Sequence, residues 1–134
     1  MIARIDHIGI AVQDIRQALE FFQDALGLEL EREALEEGGH TEVAFLPIGT
    51  TEVELVRPRD MDSGLAKFLT RRGEGIHHIC VEVDDIEGAL RRLKAHGAQL
   101  IDEAPRENSH GQRYAFIHPK SAHGVLIELY QRKS

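Results

Sequence analysis

Cysteine is nearly absent from this chain, since Cys80 is the only one among its 134 residues. A single thiol cannot form an intrachain disulfide or a thiolate metal cluster, so a metal site would have to use histidine and carboxylate ligands. Long hydrophobic runs are also missing, because no apolar stretch approaches the about 20 residues that a membrane helix needs. The N-terminal sequence carries Asp6 and His7 where a signal peptide would be apolar. We therefore expect a cytoplasmic protein that does not bind membranes.

Positive charge is scarce as well. Lys and Arg number 16 against 23 Asp and Glu, which gives a net charge of −7. The electrostatic field of a protein with this negative charge repels phosphate backbones, so nucleic acid is not an expected partner. Low-complexity tracts are lacking, and 42% hydrophobic with 29% charged residues is typical of a globular protein. At this length we expect a single domain over residues 1–134.

The chain contains a strand and helix pattern near its start. Ile5–Val12 reads IDHIGIAV, whose alternation predicts a half-buried strand. Asp14 then precedes apolar residues at helical spacing, and Gly27 follows them. These positions predict a helix with Asp14 as its N-cap and Gly27 as its stop.

The same pattern returns 71 residues later. Ile76–Val83 reads IHHICVEV and is followed by Asp85, a second helical pattern and Gly97. His7 and Asp14 of the first segment match His78 and Asp85 of the second. The agreement extends over strand, cap and helix face, which indicates an internal duplication.

Further segments complete each half. The additional predicted strands are 40–48 and 51–56 around Gly49-Thr50, then Gln99–Asp102, Arg113–His118 and Val125–Gln131, with a short helix over Ser63–Arg72 between the halves. The sequence thus predicts an α+β fold of two paired βαβββ modules, about 1–60 and 73–134, related by a pseudo-twofold axis. A plain α+β sandwich with two similar strand-helix segments is the alternative.

Four polar residues occupy equivalent positions in the two repeats. His7 matches His78, and Glu54 in VEL matches Glu128 in IEL. Two imidazoles and two carboxylates suit a catalytic divalent metal that keeps positions open for substrate. Each residue alone could instead be a polar group on a solvated strand, and it is the repetition of both the His and the Glu that favours a metal site.

The motifs IDHIGIAV, GIHHICVEVDDI, TEVELV and HPKSAHGVLIELYQ resemble those of the vicinal oxygen chelate (glyoxalase/bleomycin-resistance) superfamily over essentially the whole chain. The resemblance implies paired βαβββ modules that form a cupped mixed sheet. It also implies a homodimer and a divalent metal, Co²⁺ or Mn²⁺ first, with Zn²⁺, Ni²⁺ or Mg²⁺ as further possibilities. The implied ligands are His7, Glu54, His78 and Glu128; some family members have Gln in place of Glu54.

Within the superfamily, the C-terminal motif resembles most the branch that epimerises methylmalonyl-CoA. For this chain the resemblance implies a metal-dependent epimerase acting on an acyl-CoA, with Glu128 as the first catalytic base and Glu42 as the second. Glu42 and Glu54 share a sheet face only if the strands around Gly49 pair even positions with even ones.

The segment 107–121 is similar to the substrate loop of the family. The resemblance makes Arg113, Lys120 and Ser121 candidates for contacts with a carboxylate or with CoA phosphates. Two other functions stay open. One is lactoylglutathione lyase (glyoxalase I) chemistry, and the other is a metal-free protein that sequesters a ligand, as bleomycin-resistance proteins do.

Overall fold

The computed structural model describes residues 1–132. In chain order its elements are β1 (Ile2–Ala11), α1 (Ile15–Leu19) continuing as a π-helical segment (Glu20–Ala25), β2 (Arg32–Leu35), β3 (Thr41–Ile48), β4 (Thr51–Pro58), α2 (Gly64–Arg72), β5 (Gly75–Val83), α3 (Ile86–Ala95), β6 (Arg106–Glu107), β7 (Arg113–Ile117) and β8 (Leu126–Gln131), with 3-10 turns at Glu37–Gly39 and Pro119–Ala122. Within residues 1–132, no helix is long and apolar enough to span a membrane.

The chain forms two compact units. The first unit is His7–His77, and the second unit consists of Met1–Asp6 together with the chain from His78 onward. The chain passes from one unit into the other at the peptide bond before His7 and again at the bond before His78.

Both units have the same strand arrangement. In the first, the order is β2-β3-β4-β1, with β1 and β4 parallel and the other neighbours antiparallel. In the second, the order is β6-β7-β8-β5, with β5 and β8 parallel and the other neighbours antiparallel. Each unit therefore contains a βαβββ module with mixed pairing, and the predicted α+β fold is confirmed.

The two repeated helices begin in the same way. The side chain of Asp14 accepts a hydrogen bond from the Gln17 backbone N–H at 3.1 Å, and that of Asp85 accepts one from Gly88 at 3.0 Å. Each carboxylate satisfies a backbone donor that the first helical turn leaves without an intrahelical partner. Gly27 ends the first helix in a left-handed conformation, at φ 92°, that a side chain would strain.

Each repeated helix covers one face of the four strands of its own unit. The core under the first helix consists of Val12, Ile15, Ala44, Leu46, Val53 and Leu55. The corresponding core under α3 consists of Val83, Ile86, Leu90, Ala115, Ile117 and Leu129. Because side chains alternate along a strand, these cores fix which residues point to the other face of the strands. That other face, called the ligand face below, carries the predicted ligands His7, Glu54, His78 and Glu128.

The strand predictions were wrong in two places. β2 was not predicted, because its charged sequence REAL lacks an apolar alternation and it lies at the edge of its sheet. The predicted strand Gln99–Asp102 is reduced to a single bridge between Leu100 and Ile117. The edge strand of the second unit is instead the two-residue β6, which pairs with β7 across a turn at residues 108–111. Such a short polar strand gives no periodic signal.

Candidate metal centre

The first unit brings His7 and Glu54 together. Glu54 pairs in register with Gly9, two residues after His7, so both side chains project from the same face of the β1/β4 pair. His7 Nδ1 lies 3.4 Å from Glu54 Oε2, and each side chain is 12% exposed. Among the described residues whose side chains are placed, Glu54 is the only charged one that is buried. A carboxylate removed from water in this way needs a compensating positive charge or hydrogen bonds.

The second unit repeats this geometry with His78 and Glu128. Glu128 pairs in register with Cys80, again two residues after the histidine. His78 Nε2 lies 3.6 Å from Glu128 Oε1, with the side chains 12% and 15% exposed. The two His/Glu pairs are therefore equivalent in strand, register and burial, as the internal repeat predicts.

The donor atoms of each pair fit a divalent cation. Metal–ligand bonds of about 2.0–2.2 Å place neighbouring ligand atoms about 3.0–3.6 Å apart. The separations of 3.4 and 3.6 Å fall in that range. Imidazole nitrogen and carboxylate oxygen are ligands suited to Zn, Mn, Co, Ni or Fe. The residues present thus fit the metal that the superfamily resemblance implies.

An arginine stacked on a phenylalanine accompanies each pair. In the first unit, Phe45 pairs in register with Glu54, and the Arg32 Cζ atom lies 3.8 Å from the centre of the Phe45 ring. In the second, Phe116 pairs with Glu128, and the Arg106 Cζ atom lies 5.8 Å from the centre of the Phe116 ring. Sequence reasoning missed both arginines, since they lie on the edge strands that it failed to place.

Glu42 does not lie with these residues. Strands β3 and β4 pair Phe45 with Glu54 and Glu42 with Arg57, so even positions pair with odd ones. Alternation then places Glu42 on the face opposite Glu54, where it forms an ion pair with Arg57. The residue on the ligand face is its neighbour Val43, which is buried in a cluster with α2. The structure therefore corrects the expectation that Glu42 faces the site as a second base.

Two of the three predicted substrate residues have partners within the chain. Arg113 Nη2 is 2.6 Å from Glu87 Oε1 on α3, and its strand position lies on the helix-covered face, opposite Phe116 and Glu128. The Ser121 hydroxyl accepts a hydrogen bond from the Gln99 backbone at 2.7 Å. Their contact with substrate stays a prediction. Lys120 is exposed in the 3-10 turn after β7 and stays a candidate.

His77 has a packing role beside the site. Its ring meets the Phe68 ring of α2 edge-to-face with centroids 5.0 Å apart. Burial lowers the pKa of His77 below its usual value, because the charged imidazolium loses hydration there. Side chains alternate along β5, so His77 points away from the face that carries His78. A neutral ring packed against a helix is expected at such a position.

Residues 6–116 match the Glyoxalase/Bleomycin resistance protein/Dioxygenase superfamily. The chain belongs to this superfamily, which confirms the resemblance found in its motifs.

Within that superfamily the chain is similar to methylmalonyl-CoA epimerases. It is 39% identical to the human mitochondrial methylmalonyl-CoA epimerase over 97% of this chain and 74% of the relative. It is 38% identical to the ethylmalonyl-CoA/methylmalonyl-CoA epimerase of Cereibacter sphaeroides over 98% of this chain and 99% of the relative. A solved methylmalonyl-CoA epimerase in complex with methylmalonyl-CoA and NH₄⁺ superposes with a TM-score of 0.88 at 34% identity, covering 100% of this chain and 97% of that one.

Proposed function

We propose that this protein is a metal-dependent epimerase that interconverts (2R)- and (2S)-methylmalonyl-CoA. The observation that carries the proposal is the repeated His/Glu pair, His7 with Glu54 and His78 with Glu128, on the ligand face of each unit. The similarity to epimerases over nearly the full chain supports the choice of substrate and reaction. A homodimer and a cytoplasmic location remain predictions.

The four side chains are proposed to bind one divalent ion together. A pair offers only two ligand atoms, whereas catalytic metal sites in proteins use three or four. The superfamily resemblance implies all four residues as ligands of a single ion. One shared ion satisfies the coordination that neither pair satisfies alone.

A divalent cation held there would act as a Lewis acid that favours negative charge on the thioester oxygen of the substrate. That stabilisation matters for this reaction because a proton must leave C2, the carbon between the thioester carbonyl and the carboxylate, and return on its opposite face. It also offsets the repulsion between an anionic substrate and a chain of net charge −7.

Glu128 is the proposed base that removes or returns the proton at C2. Its carboxylate lies on the ligand face, is 15% exposed and is close to His78, so bulk water has little access to it. General bases must reach the reacting proton within hydrogen-bonding distance, which a group at the metal centre can do. Glu42 is not proposed as the second base, because its strand position directs it to the other face.

Two substrates distinguish this proposal from its nearest alternative. The protein loaded with Co²⁺ or Mn²⁺ is incubated with (2S)-methylmalonyl-CoA and, separately, with the hemithioacetal of methylglyoxal and glutathione. We expect metal-dependent epimerisation of the first and no isomerisation of the second. Turnover of the hemithioacetal alone would assign lactoylglutathione lyase chemistry instead, and failure to bind metal would favour a ligand-sequestering protein.

A further inference from the structure

The guanidinium of Arg106 has a fixed position on the ligand face of the second unit. Its Cζ atom lies 4.9 Å from the centre of the Tyr114 ring and 5.8 Å from that of Phe116. Phe116 in turn lies 6.4 Å from the imidazole of His78, measured between ring centroids. A continuous row of rings therefore connects the candidate metal ligand to this cation.

Asp102 holds Arg106 in that place. Arg106 Nε is 3.1 Å from Asp102 Oδ1, and Nη2 is 3.2 Å from Oδ2. The carboxylate is itself fixed, because Oδ2 accepts the Phe116 backbone N–H at 2.8 Å and the side chain is only 14% exposed. Two of the five guanidinium N–H groups are used by this contact. The Arg106 side chain is 51% exposed, so the others are accessible to a ligand.

We infer that Arg106 binds a phosphate group of the CoA part of the substrate. The inference rests on the proposed function, which supplies an acyl-CoA as the ligand. A guanidinium stacked on aromatic rings and held by a carboxylate is oriented in advance for an anion, and phosphate is a geometry that it recognises well. In a chain of net charge −7, a polyanionic nucleotide needs such a local cation.

The stacked arginine of the first unit supplies a comparison. Arg32 lies opposite Phe45 in register and stacks on its ring, but the carboxylate nearest to it is that of Glu31, 3.9 Å from Nε, and the side chain is 57% exposed. It thus lacks the two-contact anchor that Asp102 gives to Arg106. An acyl-CoA has one nucleotide end, so only one of the two arginines is required. The anchored Arg106 is assigned this role.

The test measures binding of CoA and of pantetheine, which lacks the phosphates, by titration calorimetry. We expect Arg106→Gln to bind CoA about tenfold more weakly than wild type, as for the loss of a charge-assisted hydrogen bond, and pantetheine equally well. Arg32→Gln and Arg92→Gln, which remove the same charge from the other unit and from the exposed surface of α3, are expected to bind both ligands like wild type.

Three results would overturn the assignment: unchanged CoA binding by Arg106→Gln, an equal loss of pantetheine binding, or a comparable loss in Arg32→Gln. Wild-type protein that does not bind CoA would remove both this assignment and the proposed substrate. Arg106-dependent binding of CoA without epimerisation of methylmalonyl-CoA would instead refute the proposed reaction and leave the phosphate contact in place.

Discussion

Glu42 lies directly opposite Arg57 on the antiparallel strands β3 and β4, and the two side chains form an ion pair on the face that does not carry Glu54. Glu42→Gln is therefore expected to keep its turnover number within about twofold of wild type. Removal of a partly exposed ion pair should lower the free energy of unfolding by at most about 1 kcal/mol. Steady-state epimerisation and urea denaturation measure the two quantities. A loss of epimerisation with folding intact would return Glu42 to the mechanism.

Glu128→Gln removes the proposed base while keeping the size of the side chain. We expect at least about a hundredfold loss of turnover, the usual effect of removing a general base. Far-ultraviolet circular dichroism should show an unchanged fold. Glu33→Gln, on the edge strand β2, is the control with the same chemical change and should keep full activity. Undiminished turnover by Glu128→Gln would exclude its assigned role.

One shared metal ion predicts a particular stoichiometry. Purified wild type should bind one Co²⁺ or Mn²⁺ per chain, measured by inductively coupled plasma mass spectrometry after dialysis. His7→Ala and His78→Ala should each abolish stoichiometric binding, because each removes one of the ligands of the same ion. Two ions in wild type, with one lost in each variant, would show that the pairs act as separate sites. Thermal melting of the variants confirms that they remain folded.

The helix caps give a stability prediction that is independent of the site. Asp14→Ala and Asp85→Ala each remove a carboxylate that accepts a backbone hydrogen bond at the first turn. Each should lower the free energy of unfolding by about 1 kcal/mol. Asp85→Asn should be nearly neutral, since asparagine caps helices about as well. An equal loss in Asp85→Asn would assign the effect to charge rather than to the cap.

Much of the fold could be predicted from the sequence because both repeats contain strong local signals. The Asp14 and Asp85 caps, the left-handed Gly27 and the apolar helix faces each depend on nearby residues alone. The equivalence of His7 with His78 and of Glu54 with Glu128 followed from the same repeat. The structure then added the registers that place each glutamate beside its histidine.

The errors come from features that local patterns do not encode. The face of Glu42 depends on the pairing of β3 with β4, and a register shifted by one residue would reverse it. The ion pair of Arg113 could not be predicted either, because its partner Glu87 lies 26 residues away on α3. Arg106 carried no signal because β6 is a two-residue polar edge strand.

Proton NMR in deuterated water follows metal-dependent proton exchange at C2 and the accompanying inversion. A single stereoisomer, (2S)-methylmalonyl-CoA, is added to the Co²⁺-loaded protein, and a sample stripped of metal by chelation serves as the control. We expect loss of the C2 proton signal together with formation of the (2R) stereoisomer, and neither change in the stripped sample. A C2 proton that persists in protein carrying stoichiometric metal would exclude the proposed epimerase function.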